Sequence, residues 1–163
     1  MHIYVNNKKI FFNKYKTKCA IGKRGISANK IEGDFKTPKG KFPLEYLLYR
    51  KDRIKKIETN LKKVVIKKNM GWCDDPTSKK YNQLIRMPFK YSAENLFRKD
   101  KIYDLLIVIG YNRKKIKKNK GSAIFLHLAS KYFRPTAGCI AVQKNVMIAI
   151  LKSIDRKSKI VIK

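Results

Sequence analysis

Short apolar runs separated by polar turns recur along the whole chain, and their length is that of β-strands. Residues 2–5 and 9–13 flank the polar pair Asn6-Asn7 and predict a hairpin. Residues 15–21 alternate polar and apolar side chains, which predicts a third strand. Residues 103–110 give the strongest strand signal, because this run is apolar, rich in β-branched side chains and closed by a glycine.

The remaining apolar runs continue this pattern. Further strands are expected at residues 42–49, 64–66, 122–128, 138–142 and 159–162. Two segments instead predict short helices: residues 92–98, with Ser92 as the N-cap, and residues 145–154. The apolar face of the second helix is expected to carry Val146, Ala149, Ile150 and Ile154. The charged residues 51–60 predict an exposed loop or a third short helix. Many strands with two or three short helices predict a mainly β sandwich or barrel.

Two stretches are predicted to be loops. Residues 22–40 are rich in glycine, aspartate and proline, and Pro38 restricts Thr37 to an extended conformation. Residues 70–82 contain turn-forming residues and the only tryptophan, Trp72. This tryptophan, with a cysteine beside it, is either a buried plug or part of the wall of a binding cleft.

Composition indicates one strongly basic domain over residues 1–163. A chain of 163 residues with 44% hydrophobic residues can bury a core of its own. Lys and Arg number 41 against 11 Asp and Glu, which gives a formal charge of +30 and predicts general affinity for polyanions. Lysine doublets are spread along the chain, whereas specific base recognition favours clustered arginines. We therefore expect polyanion binding that is lost at moderate salt, and no specific nucleic-acid partner.

The cysteines and acidic residues do not form a metal-binding pattern. Cys19, Cys73 and Cys139 are odd in number and widely spaced, without the C-x-x-C spacing of a zinc ribbon or the even count of a disulfide framework. The pair Asp74-Asp75 does not predict a metal site, because adjacent residues of an extended chain point apart. Neither a metal nor a cofactor is expected.

One histidine and one cysteine lie in neighbouring apolar runs near the C-terminal end. His127 belongs to the run 124–128, and Cys139 follows twelve positions later, directly after Gly138. A loop containing Pro135 joins the two runs, so adjacent strands could bring the thiol to the imidazole. A thiol beside an imidazole is the minimum machinery for a cysteine nucleophile with a general base. In the alternative interpretation, both side chains simply fill the core.

Two motifs resemble a known family. Residues 136–140, Thr-Ala-Gly-Cys-Ile, resemble the Ser/Thr-x-Gly-Cys-hydrophobic signature of the L,D-transpeptidase catalytic domain, the YkuD-like family, and His127 matches that family's base. Residues 22–42 resemble the family's opening pattern. The matching positions are Gly33, Asp34, Thr37, Pro38, Gly40 and Phe42. The two motifs stand in the family's order and bracket nearly the whole chain.

The resemblance implies a mainly β, single-domain enzyme that acts on the tetrapeptide stem of peptidoglycan. Cys139 would attack a peptide carbonyl after His127 has accepted its proton, and the product would be a thioester acyl-enzyme. Backbone amides of Ala137 and Gly138 would hold the oxyanion. An amine acceptor would then give a cross-link, whereas water would make the enzyme an L,D-carboxypeptidase. The family implies the periplasm or cell envelope as the place of action.

Substrate contacts are predicted in both motifs and in the tryptophan stretch. They are Thr136, Arg134, Trp72, Asp75, Tyr81, Gly33 and Thr37. Two positions depart from the family's pattern: Ala141 stands where the family commonly has arginine, and Leu128 stands where it commonly has glycine. Arg134 is the candidate to replace the missing positive charge. The resemblance therefore supports the family's chemistry more strongly than its exact substrate.

Two questions are left open by the sequence. Residues 1–6 lack the basic region and apolar core of a signal peptide, and no apolar run approaches the ~20 residues of a membrane span, so a cytoplasmic location is the alternative to the envelope. The alternative function is a non-catalytic basic module that docks on anionic wall polymer or nucleic acid, with Cys139 as a core residue.

Overall fold

The computed structural model describes residues 1–163 and contains fourteen strands and one helix. The strands are β1 His2–Asn6, β2 Lys9–Phe12, β3 Tyr15–Lys18, β4 Ile26–Ser27, β5 Thr37–Pro38, β6 Gly40–Tyr49, β7 Lys62–Val65, β8 Met70–Cys73, β9 Leu84–Arg86, β10 Ala93–Asn95, β11 Leu105–Ile109, β12 Phe125–Leu128, β13 Ile140–Val142 and β14 Lys159–Ile162. The helix, α1, is Lys144–Ser153. The prediction of a mainly β domain is confirmed.

A nine-stranded, barrel-like sheet forms the body of the molecule. Its order is β13-β12-β11-β6-β14-β1-β2-β3, and β7 pairs with β6 at the side. The two ends of this order meet at Ala20, just after β3, which exchanges backbone hydrogen bonds of 2.8 and 2.9 Å with Ala141 of β13. The N-terminal hairpin therefore closes the sheet against the strand that follows Cys139.

The central strands β11 and β12 are buried on both faces. Leu105, Ile107 and Ile109 of β11 face the main core, which the inward side chains of β1, β2, β14 and the helix complete. The alternate residues Leu106 and Val108 face a second apolar cluster that contains Trp72, Phe125 and Cys139. Burial on both faces explains why the run 103–110 is continuously apolar.

A small three-stranded sheet, in the order β10-β8-β9, carries Trp72 on β8 and Glu94 on β10. Its β8 strand supplies Trp72, which meets Phe125 of β12 edge to face at 5.0 Å between ring centroids. A short parallel pair, β4 with β5, holds the loop that precedes β6. No helix in the structure has both the length and the apolar composition needed to cross a membrane.

The helix predictions need correction. Residues 92–98 are not helical: residues 93–95 form β10, which pairs antiparallel with β8, and the hydroxyl of Ser92 donates to Asp74 at 2.7 Å instead of capping a helix. Residues 51–60 are turns and coil, so the fold has one helix and not two or three. The predicted apolar face of α1 does meet the core: Ile150 and Ile154 are buried, and Val146 and Ala149 are partly buried against it. Met147 and Leu151 are also buried and widen this face. Pairing with β8 outweighed the local helical pattern at residues 92–98.

Candidate active site

A cleft with a volume of about 620 Å³ opens beside the second apolar cluster, and both His127 and Cys139 line it. Its walls come from four parts of the chain: the loop around Gly33, the small sheet, the segment around Tyr103, and residues 122–141. The structure therefore confirms that the histidine and cysteine runs share one cleft.

Strand pairing brings the two motif segments side by side. Strands β12 and β13 are parallel, with His127 opposite Ala141, and Cys139 lies immediately before β13. Parallel neighbours need a connection of about a dozen residues, and here the loop between β12 and β13 provides it. The predicted adjacency is thus realised by a parallel crossover and not by a hairpin.

The turn before the cysteine is fixed by Gly138 and Thr136. Gly138 has φ +148°, and a Cβ at this position would lie 2.9 Å from the carbonyl oxygen of Lys36. The hydroxyl of Thr136 donates to the carbonyl of Cys139 at 2.6 Å and accepts the N–H of Gly138 at 3.2 Å. Only glycine tolerates both the backbone conformation and the close approach of the upstream loop.

The thiol of Cys139 is neutral in the resting structure. Its Sγ donates to the carbonyl of Ala123 at 3.1 Å and accepts the N–H of Phe125 at 3.3 Å. Burial raises the pKa of this thiol far above its ordinary value, and the nearby carboxyl of Glu94 raises it further. A thiolate therefore does not exist before a base removes the proton.

The imidazole of His127 is a neutral base held in one tautomer. Its Nδ1 lies 2.9 Å from the carbonyl oxygen of Leu128. A carbonyl can only accept, so Nδ1 carries the proton and the lone pair is on Nε2. Burial lowers the pKa of His127 from 6.5 to about 4. No hydrogen bond joins this imidazole to Cys139 in the resting state, so the thiol must turn away from Ala123 to reach it.

Tyr103 and Glu94 stand beside this pair and were missed at the level of sequence. The Tyr103 ring meets the His127 ring nearly edge on, at 5.2 Å and 72°, and its hydroxyl donates to Glu94 at 2.5 Å. Burial raises the pKa of the Glu94 carboxyl. The sequence carried no usable signal for Glu94, because it lies in the segment that was predicted to be a helix.

The upstream loop packs against the motif, as its resemblance predicted. Gly33 lines the cleft, and the carboxylate of Asp34 organises the loop by accepting Lys30 Nζ at 2.5 Å and the N–H of Lys36 at 2.9 Å. Burial opposes ionisation of Asp34, yet the bond from Lys30 and those from two backbone N–H groups hold the pKa of this carboxyl below its usual range. Thr37 is fully buried and accepts the N–H of Gly22 at 2.8 Å, so it supports the loop and does not line the cleft.

The other predicted substrate contacts divide into two groups. Arg134 and Thr136 line the cleft. Trp72, Asp75 and Tyr81 do not. Trp72 is 1% exposed and packs in the second apolar cluster, which corresponds to the buried-plug interpretation.

Asp75 and Tyr81 have structural roles outside the surface of the cleft. The Asp75 carboxylate accepts the N–H and hydroxyl of Thr77 at 2.9 and 2.7 Å and so shapes a turn. Tyr81 is buried, and its hydroxyl donates to Glu32, which is itself on the cleft wall. Asp75 and Tyr81 are close to Trp72 in the sequence, but none of the three lines the cleft.

Backbone donors near the thiol are not equivalent. The N–H of Gly138 is engaged by Thr136, as described above. The N–H groups of Ala137 and Cys139 have no protein acceptor. Of the two predicted oxyanion donors, Ala137 is available and Gly138 is occupied.

The charge inside the cleft is opposite to that of the molecule. Four carboxyl side chains line it, although the whole chain has only 11 acidic residues. They are Glu32, Asp74, Glu94 and Asp100. The basic residues on the wall are Lys30 and Arg134. Lys30 is paired with Asp34, and on the acidic side Asp100 is paired with Arg98. No three His, Cys, Asp or Glu side chains are arranged as a metal site.

Comparison with known proteins places these features in a family. The family model described as the L,D-transpeptidase catalytic domain (YkuD) matches residues 1–162. No curated protein matches the chain significantly.

Two solved structures resemble the whole chain in fold. The helical cell shape determining protein Pgp2 from Campylobacter jejuni has a TM-score of 0.52 at 15% identity, and Bd1075 of Bdellovibrio bacteriovorus has 0.50 at 18%. Each alignment covers 99% of this chain and 46% of the other, so this chain spans less than half the length of either protein.

Proposed function

Because the chain belongs to the L,D-transpeptidase catalytic domain family, we propose that it transfers acyl groups between peptidoglycan stem peptides, with Cys139 as nucleophile and His127 as general base. The observation that carries this assignment is the placement of both side chains in one cleft by the parallel pair β12 and β13. The place of action implied by the family is the cell envelope.

The reaction begins from a neutral pair. The thiol turns from the carbonyl of Ala123 towards Nε2 of His127, which accepts the proton as Sγ attacks the peptide carbonyl carbon. The negative charge then moves to the carbonyl oxygen, where the free N–H groups of Ala137 and Cys139 are the nearest candidate donors. Loss of one such donor typically costs about a hundredfold or more in rate.

Collapse of the tetrahedral intermediate breaks the C–N bond. The imidazolium of His127 donates its Nε2 proton to the departing amine, which in the family's reaction is D-alanine, and a thioester on Cys139 remains. An acceptor amine then attacks the thioester, His127 takes the proton lost by that amine, and this proton returns to Sγ when the thiol leaves. The enzyme ends in its starting state.

The acidic cleft favours an amine over water as the acceptor. An ammonium group that diffuses into the cleft meets the carboxylates of Glu32 and Asp74, and opposite charges within a partly desolvated cleft attract each other. Glu94, whose pKa is raised by burial, and Asp100, which is paired with Arg98, add less to this attraction. Water carries no net charge and gains no such attraction. We therefore assign cross-link formation as the main reaction and hydrolysis to an L,D-carboxypeptidase product as the minor one.

Purified muropeptides test this assignment directly. Mass spectrometry of the incubated mixture should show loss of the terminal D-alanine, cross-linked dimers, and a transient protein mass that corresponds to the acyl-enzyme. The Cys139→Ala variant should show none of these, while the matched Cys19→Ala variant, altered in the main core, should keep all three. A folded wild-type protein that leaves every muropeptide unchanged would instead support the non-catalytic binding module.

A further inference from the structure

The outer face of the N-terminal half of the barrel carries an uncompensated cluster of lysines around two aromatic rings. In β1, β2 and β14, alternate residues such as Ile3, Ile10 and Ile160 are buried, so the residues between them point outward. We call the outward set the lysine face. It consists of Tyr4, Lys9, Phe11, Lys16, Lys18, Lys41, Lys159 and Lys163.

Strand register defines the layout of this face. One row across five strands reads Lys16, Phe11, Tyr4, Val161 and Lys41, so the two rings occupy its middle and a lysine stands at each end. Neighbouring strands are about 4.8 Å apart, which makes this row roughly 19 Å wide. It is a broad platform and not a single contact.

Nothing in the protein neutralises these ammonium groups. None of the six lysines of the face takes part in an ion pair, and the sequence contains no acidic residue before Glu32. Lys9 and Lys18 are directly opposite each other on β2 and β3. Like charges in opposed positions destabilise a sheet. An anionic partner would relieve this repulsion.

The aromatic rings give the face an apolar centre. Tyr4 is 42% exposed, Lys16 Nζ lies 5.6 Å from the Phe11 ring centroid, and Lys163 Nζ lies 5.9 Å from that of Tyr4. Lysine stems that lie along rings keep their charged ends at a polar layer while the rings enter a less polar one. Basic side chains around exposed aromatics are the combination found at bilayer interfaces.

We propose that the lysine face docks the protein on the surface of an anionic phospholipid bilayer. The face is the outside of a closed sheet and lines none of the three main pockets, so its lysines and rings project together towards a surface, whereas a flexible polymer is held best in a groove. Lys18 also lies 5.0 Å from the ring of Phe133, in the loop that carries Arg134 to the cleft. The docked protein would hold the rim of its cleft next to the bilayer.

Vesicle co-sedimentation tests the docking. Wild-type protein should bind vesicles of equal parts phosphatidylglycerol and phosphatidylcholine, should not bind phosphatidylcholine alone, and should be released by salt. Each lysine near an anionic surface contributes roughly fivefold in partitioning, so replacing Lys9, Lys16 and Lys18 with glutamine should weaken binding about a hundredfold. The apolar contact of the aromatic rings is expected to supply the part of the binding that salt does not remove, and Tyr4→Ser should weaken that part.

The matched control changes the same net charge elsewhere. Lys68, Lys79 and Lys115 are exposed and unpaired, and their replacement by glutamine should cost only a few-fold. Equal losses in the two triple variants, both folded by circular dichroism, would overturn the docking face in favour of diffuse attraction. A single-stranded oligonucleotide that binds more tightly than the vesicles, and loses the same hundredfold with the face variant, would replace the bilayer by nucleic acid. Binding at this face needs no chemistry at Cys139, so either result is separate from the outcome with muropeptides.

Discussion

Protonation of His127 should limit the stability of the folded protein below neutral pH. Burial lowers the pKa of this imidazole from 6.5 to about 4, whereas the unfolded chain keeps the ordinary value. At 1.36 kcal/mol for each pKa unit, the difference corresponds to roughly 3 kcal/mol. Between pH 6.5 and 4 the unfolded state binds more protons than the folded state, so the free energy of unfolding falls as the pH falls.

Urea unfolding at a series of pH values measures this loss. In His127→Asn the side-chain amide keeps a donor for the carbonyl of Leu128 and has nothing to titrate. The free energy of unfolding of wild type minus that of the variant should be constant above pH 6.5 and fall by roughly 3 kcal/mol towards pH 4. The second histidine, His2, is present in both proteins and cancels.

In the proposed reaction, the pKa of His127 also sets the acid limb of the pH profile. The base must be unprotonated, so the acid limb of kcat/KM for muropeptide conversion should lie near pH 4 and not near 6.5. A flat stability difference across this pH range, together with an acid limb near 6.5, would refute the buried neutral base described here.

Three further outcomes are expected. Gly138→Ala should destabilise the fold more than Gly33→Ala and abolish activity. Both glycines have positive φ, +148° and +72°, so both variants carry backbone strain of about 1–3 kcal/mol, but only at residue 138 would the new methyl also meet a backbone atom, the carbonyl oxygen of Lys36. Equal melting temperatures of the two variants would contradict the crowded turn. Iodoacetamide should label the resting protein slowly at neutral pH, because burial raises the pKa of both thiols. Cys139 should be modified before Cys19, because only Cys139 lines the cleft. Rapid labelling would mean that a thiolate already exists. Raising salt should release the protein from anionic vesicles but leave conversion of a small muropeptide nearly unchanged; parallel losses would tie surface charge to the chemistry.

Local sequence patterns predicted the strands of the main sheet, because most of them are short apolar or alternating runs. The short strands β4, β5, β8, β9 and β10 were not predicted. The local patterns failed where distant pairing decided the structure. Residues 92–98 have a capped helical pattern, but the edge of β8 offered hydrogen bonds to that segment. The parallel pairing of β12 with β13, and the closure at Ala20 and Ala141, depend on residues far apart in the chain and leave no local signal.

The candidate site was likewise predicted where a local motif defines the residues, and it was missed where the fold brings distant residues together. Gly138, Cys139 and His127 were singled out from the motif within residues 122–142, because close backbone approach and nucleophilic chemistry need particular residue types at fixed positions. Tyr103 and Glu94 were not, because an ordinary tyrosine and glutamate become special only when the fold buries them beside the imidazole. Trp72 was noticed in the sequence, but its position was ambiguous, because a tryptophan can fill a core or line a cleft equally well.

The closure of the sheet at Ala20 and Ala141 makes completion of the candidate site depend on two distant parts of the chain. These two residues are 121 positions apart (141 − 20), and closing a loop of that length costs about 4 kcal/mol in chain entropy. Strand β13 is held by β12 along one edge, and its other edge is completed only by the bridge to Ala20, so the scaffold of the cleft is complete only when this long-range contact has formed. Under the proposed function, a chain still emerging from the ribosome, or one nicked and partly unfolded, would carry Cys139 without the complete scaffold of its cleft.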